Sequence, residues 1–132
     1  MKKQEKQSNQ TDRIIRIFTD GSGCRPDGEG SGFSWLREDN GARKVVREPG
    51  LTNNQAEYRA ILSAVESLTQ GEKAEILTDS ENTCFQLKGE RRVKDPHLAK
   101  LHAEIQTAIA ENRLTVIFTW IPRRDNRAGK LI

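Results

Sequence analysis

Cysteine is scarce in this chain, with Cys24 and Cys84 its only two. They are too few and too far apart for a disulfide framework or a zinc site, so reduced thiols in a cytoplasmic protein are the simplest account. No apolar run approaches the length of a transmembrane helix, and the opening MKKQEKQSNQTD lacks the apolar segment of a signal peptide. Beyond that opening, residues 1–12, which reads as a disordered polar tail, there is no low-complexity segment and no internal repeat. Neither sign of charge dominates: 22 Lys and Arg against 19 Asp and Glu leave a net charge of +3. That balance permits a polyanionic partner and equally describes an ordinary solvated surface. With 132 residues, 34% hydrophobic and 31% charged, the chain supports one domain over residues 13–132 with a single buried core, and leaves no room for two.

What the chain does contain is a run of well-punctuated elements. Arg13 to Thr19 (RIIRIFT) is β-branched and apolar, the pattern of a strand buried on both faces, and the glycine-rich loop GSGCRPDGEGSG halts it. Phe33 to Arg37 and Arg43 to Arg47 flank Asp39-Asn40-Gly41, whose Asn-Gly pair favours the positive φ angles of a hairpin, so these are antiparallel strands two and three. Thr52 and Gln55 have the spacing of a capping box and open a helix from about Asn53 to Leu68. Lys73 to Thr78 is the next buried strand and Glu81 to Lys88 a short helix. Asp95 caps, and Pro96 begins, a helix running to about Asn112, and Leu114 to Ile121 is the last strand, ended by Pro122. The order βββαβααβ gives an α/β fold, a mixed sheet with helices packed on it. Trp35, Phe118 and Trp120 fall to the core, and His97 and His102 to surface or packing positions on a helix.

Two of these strands end alike, in IFTDGSG (Ile17 to Gly23) and ILTDSEN (Ile76 to Asn82). Taken singly, each aspartate reads as a turn residue or helix cap. If the two strands are parallel neighbours, however, Asp20 and Asp79 project together at their carboxyl ends, where open α/β sheets place ligands. A third acid, Glu57, shares a helical stripe with Ile61, Ala64 and Leu68, so its carboxylate lies on the face that packs against the sheet. Converging carboxylates repel and drive one another toward protonation unless a cation neutralises them. An all-oxygen set of this kind suits Mg²⁺, with Mn²⁺ as the alternative, and leaves coordination positions for water and phosphate oxygens.

The four stretches IFTDGSG, TNNQAEYRAILSAVESL, ILTDSENTCFQLKGE and FTWIPRRDN, in that order and spacing from about Ile14 to Gly129, resemble the successive motifs of the type 1 ribonucleases H. The resemblance implies the ribonuclease H-like fold, a five-stranded mixed sheet in the order 3-2-1-4-5, and hydrolysis of the RNA strand of an RNA/DNA hybrid with two metal ions, leaving 5′-phosphate and 3′-hydroxyl ends. It implies that Asp20, Glu57 and Asp79 are catalytic metal-binding carboxylates, that Gly21, Ser22, Gly23, Cys24, Thr52, Asn53 and Asn54 meet the hybrid, and that the enzyme works as a monomer. For Asn53 and Asn54 helix capping is the alternative role. A binding module of the same fold that has lost turnover is a second reading, which the intact acid set opposes; other nucleases and transposases of this fold carry further domains.

The departures from the family pattern are specific. QLKGERRVKDPHLAK passes directly to the next helix without the family's basic protrusion, and WIPRRDN offers Arg123 or Arg124 where the family has a loop histidine. The usual ending N-x-x-[AC]-D, aligned on Asn126, places Gly129 and Lys130 where the small residue and the fourth aspartate are expected, and little of a final helix follows. A lysine does not bind Mg²⁺, so the fourth ligand falls to the amide oxygen of Asn126, with Asp125 as the alternative.

Overall fold

Alternation along the first strand decides how the sheet is covered. Ile15 and Ile17 face one side and are buried there with Ala74, Ile76 and Phe118, under Tyr58, Ile61 and Val65 of the first long helix. Phe18 faces the other side with Leu36 and Leu77, beneath Ala128 near the carboxyl end of the chain. The computed structural model describes residues 13–132, and the polar tail expected at 1–12 lies outside them. The elements are β1 (Ile14–Ser22), β2 (Gly32–Arg37), β3 (Arg43–Arg47), α1 (Asn53–Glu66), β4 (Lys73–Thr78), α2 (Glu81–Leu87), α3 (Pro96–Glu111) and β5 (Thr115–Trp120), followed by 3-10 turns at Arg123–Asp125 and Arg127–Lys130. One sheet has the order β3-β2-β1-β4-β5. The first three strands are antiparallel, and β4 runs parallel to both β1 and β5. Among the described residues no helix is long and apolar enough to cross a membrane.

Caps fix the helix starts as the sequence suggests. Thr52 and Gln55 form the reciprocal capping box of α1, Ser80 caps α2, and Asp95 caps α3 with Pro96 in the first turn. Three expectations need correction. β1 does not halt at Thr19 but runs on to Ser22, with Gly21 opposite Phe33 and Ser22 opposite Gly32, so Asp20 sits inside the strand. Of the Asn40-Gly41 pair only Gly41 takes a positive φ, +73°; Asn40 instead accepts the Ala42 N–H through its side chain, and the resulting turn is wider than a two-residue hairpin. Trp120 is 45% exposed and not core, because β5 is an edge strand and its last residue escapes the helix that covers Phe118. Trp35 and Phe118 are buried.

A buried polar chain ties α1 to the elements on its far side. The Tyr58 hydroxyl donates to Gln86 Oε1 at 2.6 Å, and Gln86 Nε2 donates to the Arg92 carbonyl at 3.1 Å. His102 meets the Gln86 carbonyl through Nε2, which makes it a packing residue. Tyr58→Phe leaves Gln86 Oε1 buried without its donor and is expected to cost about 1–3 kcal/mol. Urea denaturation would show this as a lower midpoint at unchanged slope.

Candidate metal centre

Register explains the repeated Thr-Asp. Thr19 pairs with Thr78 across the parallel β1–β4 ladder, so Asp20 and Asp79 stand at the same height on neighbouring strands. Both threonines are fully buried. Thr19 Oγ1 donates to the Leu77 carbonyl at 3.3 Å, and Thr78 Oγ1 accepts the Ser80 N–H at 3.0 Å, which turns the chain into α2 directly after Asp79.

Two glycines bring the third acid alongside. A Cβ on Gly21 would lie 2.3 Å from the Ala56 carbonyl carbon and 2.4 Å from the Glu57 nitrogen. A Cβ on Gly23 would lie 2.5 Å from the Asn53 nitrogen. Their lack of a side chain lets β1 lie directly on the first turns of α1, which sets Glu57 beside Asp20. Glu57 heads the stripe that continues in the buried Ile61, Ala64 and Leu68. One oxygen each from Asp20, Glu57 and Asp79 all lie within 4.8 Å of one another.

The electrostatics of this cluster are unfavourable as it stands. Burial, and then the charges of Asp20 and Asp79, push the Glu57 carboxyl up to about 9. Burial and Asp79 push Asp20 up to about 6. The Gly21 backbone N–H and the Arg123 guanidinium act in the opposite direction on both. Glu57 Oε1 is buried without a hydrogen-bond partner, a situation proteins seldom leave uncompensated. A hard divalent cation fits the donor set, since it would satisfy the orphaned oxygen and neutralise the repulsion, and all the donors are carboxylate oxygens.

The surrounding cleft, about 580 Å³, is lined by Gly21, Ser22, Asn53, Asn54 and Arg123 together with the acids. Gly23, Cys24 and Thr52 are not brought to its wall. The Gly23 N–H donates to Asn53 Oδ1 at 2.6 Å, the Cys24 N–H to the Leu51 carbonyl at 2.8 Å, and Thr52 Oγ1 accepts the Gln55 N–H. Asn53 Oδ1 therefore has one lone pair engaged within the protein, which leaves its NH₂ and the second lone pair to offer a ligand. Arg47 of β3, Gly30 and Ser80 also line the cleft and were not singled out from sequence. Ser80 carries a legible signal, since it precedes Thr83 at capping distance, whereas a cation on an edge strand such as Arg47 looks like any surface residue.

At the fourth position the two candidate residues are placed differently. Asp125 is exposed and lies outside the acid cluster. Asn126 is buried beside Asp79, but turns its NH₂ and not its oxygen toward that carboxylate, at 3.0 Å. The amide oxygen accepts the Ala128 N–H. Lys130 is exposed, and a Cβ on Gly129 would lie 3.3 Å from Asp20 Oδ2, so the turn passes close over the acids. Trp120, missed as a neighbour of the site, donates through Nε1 to the Asp79 carbonyl at 3.2 Å. Its parity with Phe118 along β5 is what concealed it.

Fold and site together define a mixed α/β domain whose carboxylates converge at the carboxyl ends of two parallel strands, an arrangement suited to holding divalent metal. The RNase H family profile matches residues 12–126, and the chain belongs to that family. It is 35% identical over 130 residues to a ribonuclease H of Anaeromyxobacter dehalogenans, covering 84% of this chain and 70% of that one. A solved ribonuclease H1 isolated from compost superposes with a TM-score of 0.80 at 32% identity, covering 89% of this chain and 91% of its own. The same enzyme has been solved with an RNA/DNA hybrid, TM-score 0.77. A bifunctional protein of Mycobacterium tuberculosis matches at 34% identity over 77 residues, 57% of this chain. The match spans only 21% of that relative's length.

Proposed function

We propose that residues 13–132 form one endonuclease domain that hydrolyses the RNA strand of RNA/DNA hybrids. The observation that carries this reading is the cluster of Asp20, Glu57 and Asp79, with Glu57 Oε1 buried and unpartnered at the wall of an open cleft, in a chain of the RNase H family. These three carboxylates would hold Mg²⁺, with Mn²⁺ as the alternative. Bound metal supplies Lewis acidity at both the attacking water and the departing 3′-oxygen, the two-ion chemistry that leaves 5′-phosphate and 3′-hydroxyl ends.

The chain's own residues position the substrate. Gly21, Ser22, Asn53 and Asn54 form the wall where the 2′-hydroxyls of an RNA strand would be read across the minor groove. Arg123, whose charge already acts on Asp20 and Glu57, faces the developing charge on the phosphate. Cytoplasmic location and action as a monomer belong to the same reading; the free thiols of Cys24 and Cys84 support the former, and a complete acid cluster within one chain supports the latter. Labelled hybrid, double-stranded RNA and single-stranded RNA, each incubated with Mg²⁺, Mn²⁺ or chelator, test it. Metal-dependent cutting of the hybrid alone is expected. Hybrid binding without cutting would make the domain a binding module.

The carboxyl of Glu57 sets a measurable pH dependence. It ionises near 4.5 when unfolded and near 9 when folded, so between those values the folded chain keeps a proton that the unfolded chain has lost. Metal-free stability must therefore fall as pH rises through that window, and Mg²⁺, which favours the carboxylate, should offset the loss. Glu57→Gln is expected to flatten the fall, to melt higher than the wild type in metal-free buffer at pH 8, and to respond less to Mg²⁺. A variant that melted with the full wild-type pH slope would assign the shift elsewhere.

A further inference from the structure

Asn126 is the most constrained polar side chain at the site. Its oxygen accepts the Ala128 N–H at 3.2 Å, and its NH₂ donates both to the Thr19 carbonyl at 2.9 Å and to Asp79 Oδ2 at 3.0 Å. Two of these partners are backbone groups whose donor and acceptor characters cannot exchange, so they fix which way the amide faces. The side chain is 2% exposed. Ala128, to which it is tied, packs with Phe18, Leu36 and Leu77, and its carbonyl accepts from Ser34 Oγ at 2.9 Å.

We propose that Asn126 is a positioning residue for Asp79 and not an oxygen ligand. It ties the carboxylate of Asp79 to the backbone of β1, so that the two strand acids keep one relative orientation before any cation arrives. The inference rests on reading the acid cluster as a metal site. The polar groups around it leave the amide oxygen committed to the turn, so a cation at this site has three carboxylates from the chain and no fourth oxygen from Asn126.

Ligand and positioning roles diverge at Asn126→Asp. For a ligand, that change adds charge and should hold Mg²⁺ at least as well. For a positioning residue, it removes the donor and sets a carboxylate against both Asp79 and the Thr19 carbonyl. Calorimetric titration of the whole chain with Mg²⁺ is expected to show the dissociation constant rising roughly 10–100-fold in Asn126→Ala, and at least as far in Asn126→Asp. Mg²⁺ binding by Asn126→Asp as tight as by the wild type would overturn the proposal, as would unchanged affinity in Asn126→Ala. Should either variant fail to fold, the wild-type spectrum decides. The Asn126 side-chain NH₂ protons are expected to exchange slowly and to shift in Asp79→Asn, and fast-exchanging signals indifferent to Asp79→Asn would overturn the proposal. A wild type that binds Mg²⁺ without cutting hybrid would sink the functional reading alone, since affinity and exchange are read without turnover.

Discussion

Asp79→Asn is expected to abolish hydrolysis of an RNA/DNA hybrid, and Asp20→Asn to do the same, while both proteins stay folded. Asparagine keeps the shape of aspartate and can still present an oxygen to the Asn126 NH₂, which reaches Asp79 at 3.0 Å. What it removes is a charge that would hold metal. Metal stabilisation of a phosphoryl transition state contributes several kcal/mol, so at ~1.4 kcal/mol per tenfold the loss is roughly 10³-fold or more. Folding should not suffer, because each substitution removes one of three mutually repelling carboxylates. Initial rates at saturating Mg²⁺, with melting curves in chelator, check both halves. Turnover within tenfold of wild type in either variant would remove that aspartate from the metal set.

Gly21→Ala is expected to cause the largest structural damage of any single methyl group added to the site. The new Cβ would sit 2.3 Å from Ala56 C and 2.4 Å from Glu57 N, where the neighbours are backbone and no flexible side chain can give way. Either α1 lifts from the sheet or β1 breaks its pairing at Phe33. Overpacking of this kind costs about 1–3 kcal/mol and occasionally more, and the upper end applies where backbone meets backbone. Any protein that still folds will carry Glu57 displaced, and a shift on the order of 1 Å at a catalytic group can cost ~10²-fold in rate. Gly28→Ala is the contrast. Gly28 has φ +83° with nothing within 4 Å of the added atom, so it should show only the mild strain of a left-handed residue and unchanged turnover. Equal damage in the two variants would mean that backbone conformation, and not the crossing of β1 over α1, makes Gly21 necessary.

Much of this was legible in the residues themselves. The two Thr-Asp strand motifs, the Thr52 and Gln55 capping box and the apolar stripe headed by Glu57 are local signals, and each reports a preference that the tertiary structure has no reason to override. The convergence of Asp20, Glu57 and Asp79 could be read from them, whereas the strand order 3-2-1-4-5 came only with the resemblance to the type 1 ribonucleases H. What escaped depends on distant partners. Gly21 reads as the start of a loop, and only the approach of α1 reveals it as part of the strand. Trp120 follows the inward parity of Phe118, and only the edge position of β5 exposes it. The amide of Asn126 could face either way until the Thr19 carbonyl and the Ala128 N–H were in place around it.

The hydrogen bond between Asn126 and Thr19 spans 107 positions of sequence, and the acids themselves come from positions 20, 57 and 79. No contiguous stretch of the chain therefore owns the site. In a nascent or partly unfolded chain each carboxylate is solvated, ionised at its ordinary pH and inert, indistinguishable from the other acids on the surface. Completion of the fold is itself the switch that crowds three commonplace side chains together, so that the cluster holds a proton which only a cation would readily replace.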